Sequence, residues 1–471
     1  RLPIGEKKII ESFNYETLER FYRDWYRPDL MAVIAVGDFD KPTIEKLIQE
    51  HFSTVPAGSN PRLRTTFDVP DHEETLFAIA TDKEATNSRV AVYHKLPLRD
   101  QSTVAAYRQM IVEELYNSML NRRFSELTQK PDPPFLNASS SRGRFIRSKE
   151  FYVLDAMVKE NGIERGLEAL FTESERVTRF GFTQSEFERE KRDVLRSIER
   201  MYTEREKTDS SAYVSEYIQN FLQGEPIPGI ELEFELFKRF LPEITLDEVN
   251  KLGKEWITDR NRVVLVSAPE KEGLQVPTQE KLLEVIKSVS AKEITPYKET
   301  LIEQPLIEKI PEPGKIIKTK TLKKMGITEW KLSNGIRVIL KPTDFKQDEI
   351  LFRALSPGGT SLASDKDYIP ASTAAQVIAA GGLAKFNAID LRKILSGKVA
   401  KVTPFIGELE EGLVGNASPK DLETMFELIY LTFTAPRADE TIFNVLTSQM
   451  KSYLANLSAS PEYNFMETLI T

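Results

Sequence analysis

The chain has 471 residues, 40% of them hydrophobic and 29% charged, with no cysteine and a formal net charge of -8. That length predicts roughly two to four domains, and the acidic balance excludes a nucleic-acid partner, which would need a basic face for its phosphates. Without cysteine there are no disulfides, no thiolate zinc sites and no Cys nucleophile.

No apolar run approaches the roughly 18 residues of a membrane helix, and no membrane span is expected. The opening lacks the basic-then-apolar plan of a signal peptide, so an exported protein would carry its signal upstream of Arg1. The absence of cysteine suits an oxidising compartment as well as a cytosol. A periplasmic or otherwise exported setting is favoured over a cytoplasmic one.

In chain order, Asn14 caps a helix whose face carries Leu18, Phe21, Tyr22 and Trp25, and Pro28 stops it. Met31 to Val36 is a continuous apolar run suited to a buried strand, and a second helix follows with Ile44, Leu47 and Ile48. Three prolines between 56 and 70 mark a linker.

From Glu73 the pattern restarts with strands over Thr75–Ala80 and Ser88–Lys95, then a long helix from about Gln101. A hairpin over Leu136–Arg147 and Glu150–Lys159 precedes a helix carrying Ile163, Leu167 and Leu170. Two capping boxes with flanking staple residues follow, at Thr183 with Glu186 and at Thr245 with Glu248.

The helix ending at Trp256 repeats the one ending at Trp25. Leu18 falls on Val249 and Val33 on Val264, at an offset of 231 residues. A duplicated unit explains the shared order and spacing. On that period the first unit would begin about 160 residues before Arg1, making the opening the tail of a longer domain. After a Pro- and Lys-bearing connector a further unit starts at "TEWKLSNGIRVILKPTDF", around an Asn334–Gly335 turn signal. Its Trp helix would fall about 40 residues beyond Thr471. The expected organisation is therefore the tail of a first domain (1–55), a complete second one (71–290), an extended, solvated hinge (291–326) and a truncated third (327–471). Each is expected to be α+β, a mixed, mainly antiparallel sheet with packed helices.

Chemistry-bearing residues are scarce. The three histidines, His51, His72 and His94, include no pair that one helix could present to a metal, which rules out an internal H-x-x-E-H or H-E-x-x-H site. His72, in "DHEET", reads as part of a solvated turn. His94 alternates with Val90 and Val92 as a core or rim residue, and His51 ends a helix. "SPGGTS", "AAGGLAKF" and "LSGKVAK" lack the full phosphate-loop pattern and read as turns. The charge-rich helix over 184–207 reads as a solvated face above a core stripe of Phe187, Val194, Leu195, Ile198 and Met201. Arg122 and Arg123 read as cations near a helix end rather than as a site for a peptide carboxylate. No catalytic or metal-binding residue is assigned, and substrate contacts stay unassigned.

"RLPIG", "FYRDWYRPDLMAVIAVGDFD", "PDPPF" and "WKLSNGIRVILKPTDFKQDEILFRALSPGGTS" resemble, in that order and across the chain, the insulinase/pitrilysin zinc peptidases, the inverzincins, in their long four-domain bacterial branch. The resemblance implies two halves, each of two similar domains, closing around a chamber that admits peptides or unfolded proteins. It places the zinc-binding H-x-x-E-H motif, whose Glu is the general base, upstream of Arg1. The corresponding helix of the third unit reads "YIPASTAAQVIAAGG", without ligands. The expected function is part of a zinc-dependent endopeptidase, this chain supplying chamber wall and hinge, binding no zinc itself and joining the remaining domains of its polypeptide. The alternative is a non-catalytic peptide-binding or assembly subunit of the same fold. An H-x-x-E-H motif with a downstream Glu in the upstream stretch would separate the two.

Overall fold

A computed structural model describes residues 5–56, 61–299 and 304–470. Three helices open it, α1 (Lys7–Ser12), α2 (Tyr15–Trp25) and α3 (Lys41–Phe52). Asn14 Oδ1 accepts from the Glu16 N–H at 2.9 Å and Asp40 from the Thr43 N–H at 3.0 Å, so α2 and α3 each have a capped N-terminus. Between them residues 31–36 run without a ladder partner among the described residues. Leu18, Phe21 and Tyr22 leave the apolar face of α2 exposed.

The second unit runs β1 (Leu76–Asp82), β2 (Ser88–Leu96), α4 (Val104–Thr128), β3 (Asn137–Ile146), β4 (Lys149–Val158), α5 (Ile163–Phe180), α6 (Gln184–Thr203), α7 (Ser210–Gln223), α8 (Ile230–Glu243), α9 (Leu246–Trp256), β5 (Arg262–Pro269) and α10 (Gln279–Ala291). Its sheet has the order β1-β5-β2-β4-β3. Only the β1–β5 pair is parallel, so β5, entering last, sits between β1 and β2. Val92 lies opposite Leu154 on one side and Val264 on the other, all three with no exposure, which is why these strands read as apolar runs. Helices α4 and α5 lay Leu115, Tyr116, Leu120, Leu167 and Leu170 into the same core.

Both capping boxes form. Thr183 and Thr245 accept the N3 backbone N–H while Glu186 and Glu248 reach back to the cap N–H. Thr245→Ala should cost about 1 kcal/mol, read as a lower denaturation midpoint with an unchanged denaturant slope; an unchanged midpoint would count against the cap. Helices α2 and α9 have the same length and end at Trp25 and Trp256, their limits coinciding at the offset of 231. Their surroundings differ: Trp256 is buried against Tyr116 and Tyr152, whereas Trp25 is half-buried beneath Arg27 and Arg62.

The remaining chain runs β6 (Ile316–Leu322), β7 (Ile327–Leu332), β8 (Arg337–Leu340), β9 (Ile350–Pro357), α11 (Tyr368–Ala380), α12 (Ala388–Ile394), β10 (Ala400–Ile406), β11 (Glu410–Ala417), α13 (Leu422–Thr434), α14 (Glu440–Leu457) and α15 (Pro461–Ile470). Strands β6-β7-β8 form one antiparallel sheet, turned at Asn334–Gly335, where Gly335 takes φ +91°. Strands β10-β11-β9 form a second, with Leu306, Leu383, Phe386, Leu428 and Leu431 in the core beside it. Its order repeats β3-β4-β2 of the larger sheet, and α11, α13 and α14 follow the chain order of α4, α5 and α6. The fold is thus α+β, with tandem copies of a mixed, mainly antiparallel, helix-covered sheet.

Two features differ from the expected connector over 291–326. Residues 316–322 are the strand β6, so ordered pairing begins inside it. Its first part is mostly exposed, but Ile294 joins the larger core and Leu306 the smaller one, because each presents an apolar side chain that a neighbouring helix layer can cover. Expectations for residues 1–4, 57–60, 300–303 and 471 lie outside the described residues.

Candidate functional site

The three histidines are on separate elements. His51 is exposed at the end of α3. His72 sets Nδ1 against the Glu74 carbonyl at 2.6 Å, while its backbone N–H donates to Asn261 Oδ1 at 2.9 Å. His94 lies inside the sheet, opposite Tyr152 on β4 and Arg262 on β5, with no partner for either ring nitrogen. Burial, reinforced by the Arg262 charge, pulls its pKa down to about 3, so it is a neutral core residue at neutral pH.

Among the described residues no group of three or more His, Cys, Asp or Glu is placed to hold a metal ion. Helix α11 offers Ser372 and Thr373, whose hydroxyls bond back to the Ile369 carbonyl. These residues do not fit a zinc site. The purified, tag-free chain should hold no stoichiometric zinc and cleave no peptide; elemental analysis finding one tightly held zinc per chain would overturn that expectation.

In "SPGGTS" and "AAGGLAKF" the backbone turns by close approach to neighbouring backbone. A Cβ at Gly359 would lie 2.3 Å from the Gly407 carbonyl oxygen, and one at Gly382 2.3 Å from that of Phe386.

What the fold does bring together is charge. Arg123 is not at a helix end but inside the protein, donating from Nε and Nη2 to the Glu186 carboxylate at 2.7 and 2.8 Å and from Nη1 to Glu173 at 3.2 Å. Its guanidinium lies between the rings of Phe182 and Tyr297, 4.9 and 4.3 Å from their centroids. Arg122 pairs with Glu190 and Asp193. Glu186, Glu190 and Asp193 come from α6 and Glu173 from α5; the Arg123 pairs are buried, whereas Arg122 is partly exposed. A quartet gathers at Glu113 of α4, where Arg99 and Arg142 each meet both Glu113 and Glu150.

The expected solvated face of α6 needs the larger correction. Phe187, Val194 and Ile198 do form its core stripe, but Leu195 and Met201 are exposed. The polar stripe Ser185, Arg189, Asp193, Arg196, Arg200 and Glu204, spaced three or four apart and so on one face, meets the third unit and the connector instead. Ser185 and Arg189 bind Glu299, the latter at 2.6 Å, and Lys393 of α12 reaches the same carboxylate at 3.1 Å. Asp193 accepts from Ser396 Oγ at 2.8 Å and from the Gly397 N–H. Arg196 meets Asp348 at 2.6 Å, Arg200 meets Glu349 at 3.4 Å, and Glu204 accepts the N–H groups of Gln347 and Asp348. Alternating acid and base looks alike in sequence whether the face meets water or protein. The stripe's heptad-like spacing was the available signal.

A duplicated α+β fold of helix-covered, mainly antiparallel sheets is the class these features define. Residues 12–194 match the model described as Peptidase M16 inactive domain, a match consistent with the insulinase/pitrilysin family. The chain is 31% identical over 439 residues to the zinc protease PQQL-like of Arabidopsis thaliana, covering 92% of this chain and 40% of that protein. Among solved structures, the ferredoxin protease FusC in complex with Arabidopsis ferredoxin aligns with a TM-score of 0.62 at 20% identity, covering 100% of this chain and 52% of that one. The periplasmic protease PqqL from Escherichia coli aligns at 0.57 and 19% identity, covering 99% and 52%. The chain thus spans 40% of that curated relative and 52% of each of these two structures.

Proposed function

We propose that this chain is the non-catalytic wall of a zinc-dependent endopeptidase that takes extended peptides or unfolded polypeptides into a chamber between two halves. The observation that supports this reading is the repeated sheet-and-helix unit, whose α11 bears Ser, Thr, Ala and Gln and no metal-ligating side chain. The proposed parts are the tail of a first domain over 1–55, a second over 71–290, a connector over 291–326 and a third over 327–471. The zinc would belong to residues outside this chain. The relative described as a periplasmic protease supports an exported setting for this protein too, and a peptide or unfolded protein is the proposed partner.

The test compares this chain with the longer polypeptide that continues it, on an unstructured peptide followed by mass spectrometry. Chelator-sensitive cleavage is expected from the longer polypeptide and none from the chain. A longer polypeptide that binds the peptide without cleaving it, zinc present or absent, would replace the peptidase by a binding subunit of the same fold.

A further inference from the structure

We infer that one face and the free edge of the β6-β7-β8 sheet dock an extended acidic segment of a partner polypeptide. The inference does not depend on the peptidase reading. From Lys315 to Lys341 the chain carries eight cations and one carboxylate, although its formal net charge is -8. The sheet gathers these cations. Lys318 lies directly opposite Lys331, and Lys331 directly opposite Arg337, so one cation from each strand shares a row across the same face. One step along that face Lys320 lies opposite Glu329. All four cations are exposed, whereas Trp330 and Val338, which alternate onto the other face, are half-buried. Glu329 is already taken by Arg337, at 2.7 Å. Among the described residues Lys318, Lys320 and Lys331 have no carboxylate within ion-pair distance.

Like charges directly opposite each other weaken a ladder, so the row costs the isolated sheet stability that an anionic partner offsets. Lysines on an edge strand guard it against stray pairing, which accounts for Lys318 and Lys320 on β6. That does not account for Lys331, on the central strand β7. Two features select a polypeptide over a lipid headgroup or a nucleic acid. Strand β6 is an edge, so its outward N–H and C=O groups are open to an added strand. Lys318 and Lys320 are two residues apart, the repeat at which side chains of an added strand return to one face. A segment with carboxylates at alternate positions therefore meets both lysines while its backbone extends the sheet along Ile316–Leu322.

The test is fluorescence polarisation of a labelled peptide alternating glutamate with threonine, titrated with the intact chain in about 0.1 M NaCl. Saturable binding is expected, weakening several-fold near 1 M, where the screening length drops from ~10 Å to ~3 Å. Lys318→Glu with Lys331→Glu should weaken it about tenfold. Lys251→Glu with Lys254→Glu, exposed on α9 and making the same change in net charge, should leave it unaltered. A peptide alternating glutamate with proline keeps the charge but loses every second N–H. It should bind several-fold more weakly, because it cannot complete a ladder with β6. A far-UV melt checks that each variant is folded; should the double reversal fail to fold, Lys318→Gln with Lys331→Gln reads the same loss at a smaller size. No saturable binding of the threonine peptide, or equal losses from the two double reversals, would overturn the docking surface. Equal binding of the proline peptide would overturn strand addition at β6. Tighter binding to phosphatidylserine vesicles or to a single-stranded oligonucleotide, lost with the same reversal, would overturn the polypeptide as the occupant.

Discussion

Replacing Arg123 by Met is expected to lower the stability of the second unit by about 3–5 kcal/mol, because it leaves the buried Glu186 carboxylate without a cation and Glu173 with Arg176 alone. Arg123, Glu173 and Glu186 all lie below a tenth exposed, and Glu186 also closes the capping box of α6. The guanidinium therefore holds together α4, the end of α5 through the Gly181 carbonyl at 3.2 Å, and the start of α6. Denaturant unfolding followed by tryptophan fluorescence measures the loss, since Trp256 reports on that core. Arg165→Ala, at an exposed pair with Asp132, is the reference and should change stability by no more than about 0.5 kcal/mol. Equal effects from the two variants would show that the buried pairs contribute no more than the surface one.

The second large effect is a pH dependence set by His94. Its folded pKa, about 3, is below the ordinary 6.5 of an exposed imidazole, so between those values the unfolded chain binds a proton that the folded one refuses. Stability is full above about pH 6.5 and declines by roughly 1.4 kcal/mol per pH unit as the pH falls towards 3. His94→Leu keeps the volume near that of the imidazole and removes the titration. Subtracting its stability–pH curve from that of the unaltered protein isolates the contribution from carboxylates such as Glu248, whose pKa Arg108 first, with the Thr245 cap, draws down to about 2. A flat difference curve between pH 6 and 4 would mean that His94 is reached by water and protonates in the folded state.

Local chemistry was legible in the sequence and long-range pairing was not. The capping boxes at Thr183 and Thr245, the helix ending at Trp256 and the 137–158 hairpin depend on residues a few positions apart, so their patterns carry them. His94 was legible as a core residue because it alternates with Val90 and Val92. The place of β5 between β1 and β2 was not, because its apolar run would suit any central position in a sheet. Helices α7 and α8 have no clear sequence pattern: Pro242 sits inside α8, and the Tyr, Ile and Phe residues of α7 leave its apolar face uncovered. The α6 seam was hidden for a related reason. Ion pairs across a domain boundary join residues such as Arg196 and Asp348 that no local period connects.

The late entry of β5 has a consequence during synthesis. Strand β2 gains β4 early, but β1 pairs only with β5, so its backbone groups find no ladder until Arg262–Pro269 has left the ribosome. With about 180 residues between β1 and β5 and synthesis at roughly 5–20 residues per second, β1 waits on the order of 10–40 s with an open edge. Its alternation of half-buried and exposed residues, with Phe77 and Ile79 on the core side, leaves a short apolar face to shield meanwhile. The nascent chain is thus most exposed to mispairing before the last strand of this sheet arrives, and a holding chaperone would find its binding segment at 76–82.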